Sequence, residues 1–305
     1  MKNTAPPTQC LCLYLFFLSA MTTVAEKPLV VSASIPAQAW LIKQIAGPAV
    51  SINTFLTAGS NPHSFEPSAL QVKSLANSQI YFTIGIPFET SLIERATQLN
   101  RHLTISAMDH GIQKISAHTQ HHHHAATDHV CMADTDPHIW LTPPLMASMA
   151  SNTYAALAQI LPQNQTALKQ KLNQTIRKLA ALDAEIREQL KTAASHTWVV
   201  THPSWQYFAN TYDFKLLVLE QDGKAPSAKH LARLIKQAES ARIGIIFTEP
   251  QFDPQPAHIL AQQIGARVAI IDPLREDWYD LMLEVARLLG TKHSAPASNK
   301  ASADE

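Results

Sequence analysis

The chain has 305 residues, 46% of them apolar, and Lys+Arg balances Asp+Glu at 24 each. An apolar fraction of that size is ordinary for a soluble globular protein. With charges in balance, nothing suggests a nucleic-acid or acidic-lipid partner.

Residues 1–25 read as a secretory signal peptide. Lys2 supplies the early positive charge, Leu11 to Ala20 is an apolar run broken only by Ser19, and Thr23-Val24-Ala25 is a small-residue exit. The run is too short for a spanning helix, which needs about 20 apolar residues. Cleavage after Ala25 would leave about 280 residues, a size that favours two domains. It would also leave Cys131 as the one cysteine, so no intramolecular disulfide is expected.

Short β-branched runs then alternate with helical patterns, as α/β units with parallel sheets do. Strands are expected at Leu29–Ser34, Ser51–Leu56, Ile80–Gly85 and Leu103–Met108, with a helix at Ser68–Asn77. His110 to Thr135 is polar, His-rich and aperiodic, longer than an ordinary connection. A helix is expected to begin near Thr142. From Pro162 to Thr192, Leu168, Leu172, Ile176, Leu179, Leu182, Ile186 and Leu190 recur at steps of three and four with no interior Gly or Pro. That is one long amphipathic helix of about 45 Å, a stiff spine between lobes. Four more strands follow, at Thr197–Thr201, Phe214–Leu219, Ile243–Thr248 and Arg267–Ile271. The expected organisation is an N-terminal α/β lobe at 26–161 with the His-rich loop at 110–135, a linking helix at 162–193, a C-terminal α/β lobe at 194–291, and a disordered tail at 292–305. Each lobe is expected to have its own core.

The chemistry is concentrated in histidines. His63, His138 and His202 stand 75 and 64 positions apart, each in a distinctive segment. Neutral imidazole is the preferred ligand of borderline cations, zinc foremost. Ligands so far apart converge only through a tertiary fold. His202 and Asp272 each follow an expected strand, and His63 comes shortly after one. Ligands of open α/β sheets bind beyond the carboxyl ends of strands, so these residues can share an inter-lobe cleft. Glu249, before Pro250, ends a strand too and rivals Asp272 for a fourth position. The loop residues His118, His121, His122, His123, His124 and His129 suggest a secondary, weak metal site, assisted by Asp128 and Cys131.

Four segments in order resemble the periplasmic metal-binding proteins of ABC importers, in particular the zinc-uptake ZnuA type. They are His63-Ser64-Phe65-Glu66-Pro67-Ser68, Asp136-Pro137-His138-Ile139-Trp140, His202-Pro203-Ser204-Trp205-Gln206-Tyr207-Phe208 and Asp272-Pro273-Leu274. The likeness extends from about Lys27 to Leu289. It implies two similar lobes joined by one long helix, with zinc held in the cleft by His63, His138 and His202, and Asp272 or water fourth. Manganese and iron members of this type tend to offer two His and two carboxylates; a third His here, at 202, favours Zn2+. The implied function is capture of zinc in the periplasm, by a monomer, for delivery to a membrane permease with its cytoplasmic ATPase. A manganese or iron carrier and a metal-buffering adhesin use the same scaffold. A zinc hydrolase is disfavoured, because no His-Glu-x-x-His is present.

Overall fold

The computed structural model describes residues 27–62, 64–116, 135–221 and 223–291. The expected signal peptide, His63, the loop histidines with Cys131, and the tail from 292 lie outside the described residues.

The first half builds β1 (Leu29–Ala33), α1 (Pro36–Ala46), β2 (Val50–Thr54), α2 (Ala69–Ala76), β3 (Ile80–Thr83), α3 (Phe88–Leu99) and β4 (Thr104–Ala107). The strands are all parallel, in the order β2-β1-β3-β4. After α4 (Pro143–Ile160) and α5 (Gln165–Leu190), the second half repeats the plan. It contains β5 (Thr197–Val200), α6 (Gln206–Thr211), β6 (Lys215–Val218), α7 (Ala228–Ser240), β7 (Ile245–Thr248), α8 (Gln255–Ile264), β8 (Arg267–Ile270) and α9 (Trp278–Gly290). Its parallel order is β6-β5-β7-β8, the same permutation. The two lobes share a topology although no residue-level repeat is visible.

Local chemistry accounts for the elements. The inner strands β3 and β7 are buried at all four positions, as strands covered on both faces must be. Pro36 and Pro143 open their helices where the missing N–H costs nothing. Ser68 caps α2 reciprocally with Gln71, and Gly265 ends α8 in the left-handed conformation at φ 69°. All the strands except β7 end a residue or two before the expected runs do. Ser34 donates its N–H to Gln38 Oε1 at 2.9 Å, and Ile84 and Gly85 donate theirs to the Glu89 carboxylate, which diverts the chain from the ladder.

The long helix is α5, preceded by a 3-10 turn over 162–164. Leu168, Leu172, Leu179, Leu182, Ile186 and Leu190 are buried as the periodicity requires, and Ile176 is partly buried against the same cluster with Thr175 buried beside it. It packs on α1 and α4 from the first half and on α9 from the second. Separate lobe cores are not what forms. One apolar cluster runs from Val31 and Phe82 through α5 to Trp198, Phe247 and Trp278, and a smaller one covers the outer face of the second sheet. The reason is α9, which turns back onto the spine. Trp278 meets Trp40 of α1 at 5.0 Å, and Lys178 of α5 lies over Trp40 and Tyr279 at 5.4 and 4.6 Å. Gly290 is required there, since a Cβ would stand 2.3 Å from the backbone oxygen of Gln189. Among the described residues no helix is long and apolar enough to cross a membrane.

Candidate metal centre

In both sheets the strand order reverses between the first and third strands, and a crevice opens there beyond the carboxyl ends. His202 leaves the end of β5 after Thr201. Its Nδ1 lies 2.7 Å from Oε1 of Glu220, which follows β6. His138 enters from the segment before α4. Its Nδ1 lies 2.7 Å from Asp136 Oδ1, and its backbone N–H donates to the same oxygen at 2.9 Å. A carboxylate at Nδ1 orients each ring and fixes its tautomer. The two imidazoles approach to 5.5 Å between centroids, steeply inclined. Phe252 stacks on His202 at 5.2 Å and Trp140 lies against His138 at 5.1 Å, so each ring has an apolar wall.

Both rings line a cavity of about 10 Å³, the size of a single water or ion. Asn61 and Pro62, the neighbours of His63, form part of its wall, as does Glu249. Two of the three expected histidines are thus brought together, and the third lies outside the described residues. Among the described residues no group of three His, Cys, Asp or Glu is placed to hold a metal.

The two candidate carboxylates are placed differently. Both oxygens of Asp272 accept backbone N–H groups, Oδ1 from Leu274 at 2.9 Å and Oδ2 from Gly59 at 2.7 Å. Asp272 therefore ties the first-lobe loop before His63 to the second lobe. Glu249 is the carboxyl group in the cavity wall, buried, receiving hydrogen bonds from the Ser204 hydroxyl and, at 2.7 Å, from Gln251 Nε2. Burial pushes its pKa up to about 8; the Ser204 hydrogen bond opposes this, and the charges of Asp272 and Glu220 add to it. A nearby cation would act against this rise and favour the ionised form.

The first lobe carries a parallel arrangement. Glu89 accepts from the Ser34 hydroxyl, and Ser34 Oγ stands 2.6 Å from the Tyr81 hydroxyl. Neither Glu89 nor Glu220 stood out in the sequence. Glu220 follows the expected strand Phe214–Leu219 directly, so the same strand-end rule that selects His202 would have found it.

The geometry defines a two-lobed α/β binding protein with a small imidazole-lined cleft. A family model for ZnuA, the periplasmic component A of zinc-uptake complexes, matches residues 31–291, and the chain belongs to that family. The zinc-binding protein AdcA of Streptococcus pyogenes is 24% identical over 245 residues, 76% of this chain and 48% of that protein. The chain thus spans about half the length of that curated relative. A crystal structure of ZnuA superposes with a TM-score of 0.79 at 28% identity, covering 86% of this chain and 98% of the other. A ZnuA variant deleted for 138–173 and solved with zinc bound gives 0.78 at 28% identity, covering 88% and 99%.

Proposed function

We propose that the protein captures zinc outside the cytoplasm and delivers it to the membrane permease of an ABC importer driven by a cytoplasmic ATPase. His63, His138 and His202 are the ligands of this reading, with a carboxylate or water completing a tetrahedral shell. The carrying observation is the convergence of His138 and His202, from segments 64 positions apart, each with Nδ1 held by a carboxylate. Imidazole-rich, low-coordinate surroundings favour zinc over manganese, which prefers oxygen-rich octahedral sites. Asp272 and Glu249 are the two candidate carboxylates for the fourth position: both oxygens of each accept hydrogen bonds, and a carboxylate keeps further lone pairs for a metal. A cleaved signal peptide and a monomeric state belong to the same reading.

The test is metal competition on the chelator-stripped protein. Equimolar zinc and manganese should yield zinc loading, and His202→Ala should weaken zinc on the order of a hundredfold or more, beyond the 10–100-fold of outer partners. Retention of manganese, or an unchanged His202→Ala affinity, would overturn the assignment.

A further inference from the structure

One hydroxyl beside the cleft joins segments that the chain keeps far apart. Tyr207 lies in α6, five residues beyond His202, with its ring buried in the main apolar cluster. Its hydroxyl donates to the carbonyl of Asp136 at 2.8 Å and accepts the N–H of Ile115 at 3.0 Å. The Asp136 N–H in turn donates to the carbonyl of Ile115 at 2.8 Å, next to the antiparallel bridge between Ser116 and Thr135. Asp136 is the residue whose carboxylate orients His138. A second bond runs parallel, from the Thr142 hydroxyl to Thr211 at the far end of α6, 3.1 Å long.

We propose that the Tyr207 hydroxyl is the positioning group that sets His138 relative to His202. The proposal rests on the reading of those two residues as zinc ligands. His202 and Tyr207 belong to one continuous turn-and-helix unit, so the ring has a fixed relation to His202. Through Asp136 the hydroxyl passes that relation to a histidine from the other half of the chain. The demand for accuracy is high, because zinc–nitrogen distances must fall within about 0.2 Å of their preferred values. Without the hydroxyl, the Asp136 carbonyl and the Ile115 N–H lose a buried partner each. The segment 135–138 can then shift by a few tenths of an ångström to regain one.

Tyr207→Phe keeps the ring and removes only the oxygen. In the full chain, stripped of metal and titrated with zinc against a chromophoric chelator, it should bind zinc about tenfold more weakly, mainly through faster release. Asp136→Asn should weaken zinc about 10–100-fold. In the unaltered protein, zinc should slow hydrogen exchange of the Ile115 amide, as reciprocal coupling demands. An affinity and release rate within twofold of the parent, or Ile115 exchange indifferent to zinc, would overturn the proposal. A silent Tyr207→Phe beside crippled His138→Ala and His202→Ala would overturn this inference alone. Silence in all three would overturn the ligand reading as well.

Discussion

Glu89 offers a measurement of how the first lobe is built. It sits in the first turn of α3 and accepts N–H groups from Ile84 at 3.0 Å, Gly85 at 2.8 Å and Ile86 at 3.2 Å, besides the Ser34 hydroxyl. Burial raises its pKa from 4.5 to about 7; hydrogen bonds from Ser34, Gly85 and Ile84 oppose the rise and the charge of Asp109 adds to it. The folded protein therefore holds a proton that the unfolded chain has released between those two values. A carboxyl raised in this way contributes stability that is fully present below about 4.5 and lost as pH climbs through about 7. At 1.36 kcal/mol per pH unit, the whole swing is on the order of 3 kcal/mol, most of it between pH 5 and 8. Glu89→Gln cannot titrate. It should be less stable than the parent at pH 5, because its amide faces N–H donors where the carboxyl accepted. Its urea midpoint, measured on chelator-stripped protein, should then fall less steeply than the parent's as pH rises. The difference between the two stability curves isolates Glu89 from Glu249 and from the histidines. Parallel curves from pH 5 to 8 would refute the raised pKa and the reading of Glu89 as a protonated buried group.

Two further substitutions probe the cleft and the spine. Glu220→Gln leaves His202 in place but weakens the hold on its Nδ1, so zinc affinity should fall about 10–100-fold in a competition titration, with the unfolding midpoint nearly unchanged. Gly290→Ala drives a Cβ into the Gln189 carbonyl, a backbone atom that cannot swing aside, and should cost about 1–3 kcal/mol in denaturant unfolding. Parental stability in that variant would mean that α9 and α5 do not approach so closely.

Much of this architecture is legible one residue at a time. Eight β-branched runs became eight strands, and the three-and-four spacing from Leu168 to Leu190 became α5, because both patterns report how a local backbone period meets a buried face. The cleft position of His202 followed from its place after β5, which needs only strand direction. Errors arose where a side chain competes with the ladder, as Gln38 does for Ser34 and Glu89 for Ile84. Thr175 is buried beside the partly buried Ile176, because it lies three residues after Leu172 and four before Leu179 on the same helix face.

Residue types, element periods and the histidine-bearing segments were thus determined by the sequence itself, since each is a property of a few neighbouring residues. The tertiary structure alone decided which groups meet. It placed Glu220 on His202, Tyr207 on Asp136 and Asp272 on the Gly59 amide, pairs separated by 18, 71 and 213 positions. It also set Glu249 rather than Asp272 in the cavity wall and merged the lobes into one apolar cluster through α9. Such pairings carry no local period. They form because burial of the α5 and α9 faces outweighs the entropy of closing long loops, and the polar groups trapped alongside must then find partners.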